Sequence, residues 1–220
     1  MNVCVVIPSY NEGARLTKTL DSLLSTNFNI IVVDDGSVDN TNELIANYPI
    51  HYISHPINCG QGAALKTGTE YAAKLGSDIV AHFDADGQHR VEDLLKLVSH
   101  LEKNDLDVVL GSRFIEKTTE FPLSKKIILH LAKAFTNTFV GLNFTDPQNG
   151  LRVFNLRVLA QLDWQKKDFL HCTEILSLIA KHKLKYQELP VIVNYGPDLK
   201  KTVRPKISMG FRILFHKLMD

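Results

Sequence analysis

Cysteine is scarce in this chain of 220 residues: Cys4, Cys59 and Cys172 are the only three, far apart and without a CxxC pair. Their odd number and spacing argue against a disulfide framework and fit free thiols in a reducing compartment. No stretch approaches the roughly 20 apolar residues needed to cross a bilayer. The opening run from Met1 to Glu12 has no basic start and meets Pro8 before a long apolar segment can form, so it does not read as a signal peptide. A cytoplasmic protein is expected, at most attached to the cytoplasmic face of a membrane. An excess of one charge is missing too. Lys plus Arg is 25 against 24 Asp plus Glu, a formal balance of +1. That balance carries no electrostatic footprint for nucleic acid, and no nucleic-acid partner is expected. Neither GxGxxG nor GxxxxGK[ST] occurs, so a Rossmann-type dinucleotide site and a P-loop lose their main support.

What is there is the making of an ordinary core. A hydrophobic fraction of 45% with 22% charged residues excludes wholesale disorder, collagen and simple coiled coil. A chain of this length buries roughly 70% of its unfolded surface without a disulfide or metal staple. Short β-branched runs alternate with helical patterns, as in a parallel sheet flanked by helices. The runs predict strands at Val3 to Ile7, Ile30 to Val33, Ile50 to Ile53, Ile79 to Phe83 and Val108 to Gly111. Helices are predicted between them, one with Leu16, Leu20, Leu23 and Leu24 at helical spacing, then Thr41 to Tyr48, Gly62 to Leu75 and Val91 to Leu101. Further on come a helix from about Ser124 to Val140, a strand at Leu151 to Phe154, a helix over Glu174 to His182 and a strand at Lys185 to Val193. One domain over 1–220 is expected, with a nucleotide-binding half to about residue 114 and an acceptor-side half after it.

In open parallel sheets ligands gather at the carboxyl ends of the strands. The residues there are polar: Pro8, Ser9, Tyr10, Asn11 and Glu12 after the first strand, Asp34 and Asp35 after the second, Asp84, Asp86 and Gln88 after the fourth, Arg113 after the fifth. Asp34 and Asp35 suit a ribose hydroxyl or a base N–H; a solvated turn capping the next helix is the alternative. Asp84, Asp86 and Gln88 at i, i+2 and i+4 would project to one side of an extended chain. Three such oxygen ligands suit Mg²⁺ or Mn²⁺ completed by substrate phosphate oxygens, against the plainer reading of an Asx turn. Gly60, Gly62 and Lys66 lie in a glycine-containing turn entering a helix, which could offer N–H groups to phosphate or be a simple β-to-α turn.

Taken together, the segments Val6 to Glu12, Val32 to Ser37, Asn58 with Gly60 to Gly68, Asp84 to His89, Gly111 to Phe114 and Asp146 to Arg152 resemble the family 2 glycosyltransferases. The resemblance is to the branch that makes dolichyl- and polyprenyl-phosphate sugars. It implies a GT-A-type α/β fold, a mostly parallel central sheet flanked by helices. It further implies that Pro8, Tyr10, Glu12, Asp34 and Asp35 surround the nucleoside of a UDP- or GDP-sugar. Gly62, Lys66 and Arg204 complete the expected substrate contacts. Asp84, Asp86 and Gln88 would hold the divalent ion on the diphosphate, with Asp86 counted among the catalytic residues. Arg113 would face the acceptor, Asp146 and Gln148 the transferred sugar, and Glu174 matches a glutamate on the acceptor-side helix. The C-terminal end departs from the branch, with Lys200 to Ser208 in place of a Gly-x-Ser-Lys loop.

The expected reaction is an inverting displacement that moves a sugar to a polyprenyl phosphate in cell-surface glycan or glycolipid synthesis. A sugar hydroxyl in polysaccharide synthesis is the alternative acceptor, and it would need Asp146 or Glu174 as base. A glycoside hydrolase would also use paired carboxylates, but not the nucleotide and metal set. A non-catalytic sugar-nucleotide module is a further alternative. Between Asp198 and Asp220 lie Lys200, Lys201, Arg204, Lys206, Arg212 and Lys217 with no acid among them. With Phe211, Leu214, Phe215 and Leu218 at helical spacing, this basic amphipathic tail suggests peripheral membrane contact, and core or subunit packing is the blander account. Trp164, Cys4 and His82 read as core residues.

Overall fold

A computed structural model describes residues 1–116, 133–134, 136–138 and 140–194. Seven strands form one sheet in the order β3-β2-β1-β4-β6-β5-β7. They are β1 (Val3–Ser9), β2 (Asn29–Asp34), β3 (His51–Ser54), β4 (Ile79–His82), β5 (Val108–Ser112), β6 (Arg152–Asn155) and β7 (Tyr186–Pro190). β1 pairs in parallel with β2 and β4, β2 with β3, and β5 with β7, whereas β6 runs antiparallel to both of its neighbours. The sheet is therefore mixed with a single reversed strand. The last strand is shorter than Lys185 to Val193: beyond Pro190, Val191 keeps one bond to the Ser112 carbonyl at 3.0 Å and Val193 turns to bridge His89, both remaining buried.

The helices are α1 (Gly13–Leu23), α2 (Thr41–Ile45), α3 (Gln61–Lys74), α4 (Val91–Lys103) and α5 (His171–Lys181). Alternation along β1 divides the core. Val3, Val5 and Ile7 pack with Leu16, Leu20 and Leu23 of α1 and with Leu94, Leu97, Val98 and Leu101 of α4. Cys4 and Val6 face Ala64 and Leu65 of α3, Ile175, Leu176 and Ile179 of α5, and Trp164. Each Val, Leu or Ile among these, fully buried, stabilises the fold by about 1.5–3 kcal/mol. The contact of α3 with the sheet is closest at Gly68, where a Cβ would lie 2.3 Å from Val6 Cγ1.

β5 ends at Ser112 and β6 begins at Arg152 on the same edge, with Leu110 and His82 both in register with Arg152. The segment leading into β6 thus stands beside the carboxyl ends of β1, β2 and β4. Most of the helix predicted from Ser124, and the whole basic tail with Arg204, lie outside the described residues.

Candidate functional site

At that edge a cavity of about 450 Å³ opens between the ends of β1, β2 and β4, the segment entering β6 and the start of α5. Pro8, Tyr10, Glu12, Asp35, Asp84, Asp86 and Gln148 line it, as do Arg152, His171 and Cys172. Tyr10 keeps 46% of its surface exposed at the mouth. Glu12 is held by Arg15 at 3.0 Å.

Asp84 and Asp86 are not on extended chain. A turn at Ala85 and Asp86, continued through Gly87 at φ +73°, folds the segment back after β4. Gln88 folds back against Asp86 in this turn: its backbone N–H donates to Asp86 Oδ1 at 3.0 Å and its side-chain amide donates to Asp86 Oδ2. Asp84 Oδ2 accepts from His89 Nε2 at 3.0 Å and Oδ1 from Gln61 Nε2 at 3.2 Å. Gly150 makes room for this carboxylate, since a Cβ there would sit 2.4 Å from Asp84 Oδ2.

The electrostatics separate the two carboxyls. Burial opposes ionisation of Asp84, but the hydrogen bond and charge of His89, with Arg152 and His171 beyond, outweigh it and hold the group below its ordinary range. Burial first, and then the charge of Asp84, push Asp86 up to about 6. Two half-buried carboxyl groups, one of them held ionised beside the other, form a donor set suited to a hard divalent cation. A separate cluster, Asp35, His55 and Cys59, also brings ligand atoms within 4.8 Å of one another. There Asp35 Oδ1 already accepts from His55 Nδ1 at 2.7 Å and from the Cys59 N–H at 2.9 Å, and Oδ2 accepts from the Gly60 N–H at 2.6 Å. Asp35 therefore shapes the loop that enters α3 while it lines the cavity.

The other sequence candidates are placed away from the cavity lining. Asp34 accepts from Tyr52 Oη at 2.7 Å and from the Ser37 N–H at 2.9 Å. Lys66 pairs with Asp163 at 2.6 Å and donates to the Trp164 carbonyl. Gly62 turns its carbonyl to Trp164 Nε1 at 2.9 Å, and the next N–H, of Ala63, donates to the Lys167 carbonyl, so protein already covers part of the start of α3. Arg113 grips Asp146 through Nε and Nη2, both at 2.6 Å, and this pair is buried. Glu174 Oε2 accepts from the N–H groups of Gln165 and Lys166 at 2.9 and 2.7 Å. Trp164 and Cys4 are buried as expected; His82 is buried and also lines the cavity.

Residue reasoning missed His89, which immobilises Asp84, and Arg152, which lines the floor. Both lie within the segments Asp84 to His89 and Asp146 to Arg152, and only the fold shows that they point inward. On α5, His171 Nδ1 meets the Asp168 carbonyl at 2.7 Å, while its Nε2 stands 3.5 Å from Cys172 Sγ. Burial opposes ionisation of this thiol, yet the charges of Arg152 and His171 bring it down to about 7.

A mixed α/β sheet with clustered carboxylates at its carboxyl edge is the arrangement of a GT-A-type glycosyltransferase. Residues 4–163 match the family described as Glycosyl transferase family 2, and the chain belongs to that family. It is 33% identical over 241 residues to a UDP-N-acetylglucosamine–dolichyl-phosphate N-acetylglucosaminyltransferase of Methanococcus voltae, covering 99% of this chain and 95% of the relative. It is 32% identical over 172 residues to an undecaprenyl-phosphate mannosyltransferase of Micrococcus luteus, covering 74% and 70%. Among solved structures, glucosyl-3-phosphoglycerate synthase from Mycobacterium tuberculosis with Mn²⁺, UDP and phosphoglyceric acid is similar in fold, with a TM-score of 0.67 at 16% identity over 91% of this chain and 73% of that one. No helix among the described residues is long and apolar enough to cross a membrane.

Proposed function

We propose that this glycosyltransferase moves a hexosyl unit, with inversion, from a UDP- or GDP-sugar to a polyprenyl phosphate in glycan or glycolipid synthesis. The observation that carries the donor half is the Asp84 and Asp86 pair on the cavity that Pro8, Tyr10, Glu12 and Asp35 also line. Asp84 and Asp86 would hold Mg²⁺ or Mn²⁺, which when bound supplies positive charge for the departing diphosphate. His89 keeps Asp84 ionised and oriented, and Gly150 leaves space at that carboxylate. Asp35 orders the loop beside the nucleoside.

The acceptor half rests on the two relatives above and on where the candidate bases lie. A hydroxyl acceptor needs a carboxylate to take its proton. Asp146 is closed by Arg113, and Glu174 by two backbone N–H groups. A phosphate acceptor brings an oxygen already ionised at neutral pH and needs neither. The basic tail would then meet the membrane in which such a lipid resides. The test is transfer of radiolabelled sugar from UDP- and GDP-linked donors, with Mn²⁺, into a short polyprenyl phosphate, the matching polyprenol and oligosaccharides. Product on the phosphate alone is expected; product on an oligosaccharide alone would establish the polysaccharide-extending alternative.

A further inference from the structure

Buried side-chain polar atoms in folded proteins are almost always hydrogen-bonded. Six among the described residues have no protein partner, and four of these, Ser9 Oγ, His82 Nδ1, Gln148 Oε1 and Arg152 Nη1, belong to residues lining the same cavity. They come from the end of β1, the end of β4 and the segment entering β6. Such convergence marks a surface built for a polar ligand.

The polarity of two of these atoms can be worked out. Arg152 donates through Nε to the Asn149 carbonyl at 3.0 Å and through Nη2 to the Pro147 carbonyl at 3.2 Å. These bonds fix the guanidinium plane, and Nη1, which can only donate, remains without a partner. Thr69 Oγ1 commits its proton to the Leu65 carbonyl at 2.8 Å, so it accepts from His82 Nε2 at 3.0 Å. With the ring proton on Nε2, the Nδ1 of this buried ring presents its lone pair and is an acceptor without a protein partner. His82 and Arg152 are register partners across β4 and β6, and both line the cavity, so an acceptor and a donor are offered to it from neighbouring strands. Ser9 Oγ can serve either role, and Gln148 Oε1 accepts.

We propose that this floor binds the transferred hexose by its hydroxyl edge, one sugar oxygen accepting from Arg152 Nη1 and a sugar hydroxyl donating to His82 Nδ1. The assignment rests on the donor reading above and extends it to the sugar, with Arg152 and His82 as specificity-determining residues. A polyol edge satisfies both polarities, because each hydroxyl donates and accepts. A sugar deoxygenated along that edge leaves both protein atoms buried and unpaired, and is excluded on that ground.

The experiment compares calorimetric affinities for UDP with UDP-glucose, and for GDP with GDP-mannose, in Mn²⁺, for the wild type, Arg152→Lys and His82→Gln, with the thermal midpoint of each. Glutamine retains a donor for Thr69 and lacks the Nδ1 acceptor, so His82→Gln tests the floor even where Arg152→Lys does not fold. Arg152→Lys is expected to weaken the bound nucleotide sugar at least about tenfold, and His82→Gln roughly two- to twelvefold, the loss of a charged and of a neutral hydrogen bond. Affinity for the free diphosphate should change less than about twofold. Equal weakening of diphosphate and nucleotide sugar, or no weakening of either, overturns the assignment of the floor to the sugar while leaving the donor reading intact. If the wild type binds neither nucleotide pair, the donor reading falls and this inference falls with it.

Discussion

Replacing Asp86 by asparagine should make the metal-free protein more stable at neutral pH while abolishing its response to metal and nucleotide. In the fold the Asp86 carboxyl is raised from the ordinary 3.8 to about 6, by burial and by Asp84. A raised carboxyl binds its proton more tightly in the native than in the unfolded chain. Native stability is therefore greatest below about pH 4 as far as this group is concerned, and is lost as pH rises toward 6. A rise of about two pH units, at about 1.4 kcal/mol each, is a penalty near 3 kcal/mol at pH 7. Because the turn is partly open to solvent, about 2 kcal/mol is the better expectation. For a chain of this size that corresponds to roughly 4–8 °C in the melting midpoint. Asparagine keeps an oxygen for the Gln88 N–H and removes the charge. The assay is thermal unfolding from pH 5 to 8, with EDTA, with Mn²⁺, and with Mn²⁺ plus UDP or GDP. In the wild type, metal-dependent stabilisation should fade as pH drops through about 6, where Asp86 takes up its proton. A variant destabilised in EDTA at pH 7, or one that keeps the wild-type response to Mn²⁺, would refute the reasoning.

Gly150→Ala should mimic the metal defect from the opposite side, because its Cβ would sit 2.4 Å from Asp84 Oδ2; titration with Mn²⁺ should show weakened binding in a folded protein. Arg113→Ala leaves Asp146 buried without its bidentate partner, and denaturant unfolding should show a loss of about 3–5 kcal/mol. Asp35→Ala strips an acceptor from the Cys59 and Gly60 N–H groups and removes a cavity carboxylate, so both stability and nucleotide affinity should fall. Asp34→Ala, which unpairs Tyr52 and Ser37, should cost about 1–3 kcal/mol in unfolding with the smaller effect on nucleotide affinity in calorimetry.

The strands and their carboxyl-end residues were legible because β1, β2 and β4 are continuous apolar runs that stop at charged or polar residues. Periodicity also exposed α4, whose Leu94, Leu97, Val98 and Leu101 are all buried. Direction was not legible: nothing in Arg152–Asn155 distinguishes a reversed strand from a parallel one. The i, i+2, i+4 rule assumes extended backbone, which Gly87 breaks, so it is a turn and not a strand that brings Gln88 beside Asp86. Acidic residues beside a predicted strand end also look alike whether they face ligand or protein. Asp34 and Asp35 are neighbours, yet Asp35 lines the cavity and Asp34 is spent on Tyr52. Lys66 and Glu174 are likewise answered by Asp163 and by two backbone N–H groups, partners about 100 and 10 residues away in sequence that spacing does not reveal.

The reversed strand also determines how the chain can be divided. β5 touches no strand of the first half: its ladder partners are β6 and β7, and β6 stands between it and β4. A fragment ending near residue 114 would contain β1 to β4 as a pairable set, but would carry β5 as an apolar strand with neither neighbour. Its Val108, Val109 and Leu110, buried in the whole chain, would present an unpaired edge to solvent. Pairing of β5 therefore waits on synthesis of residues beyond 150, and a nascent chain halted between the two would expose a sticky strand to whatever edge it met first.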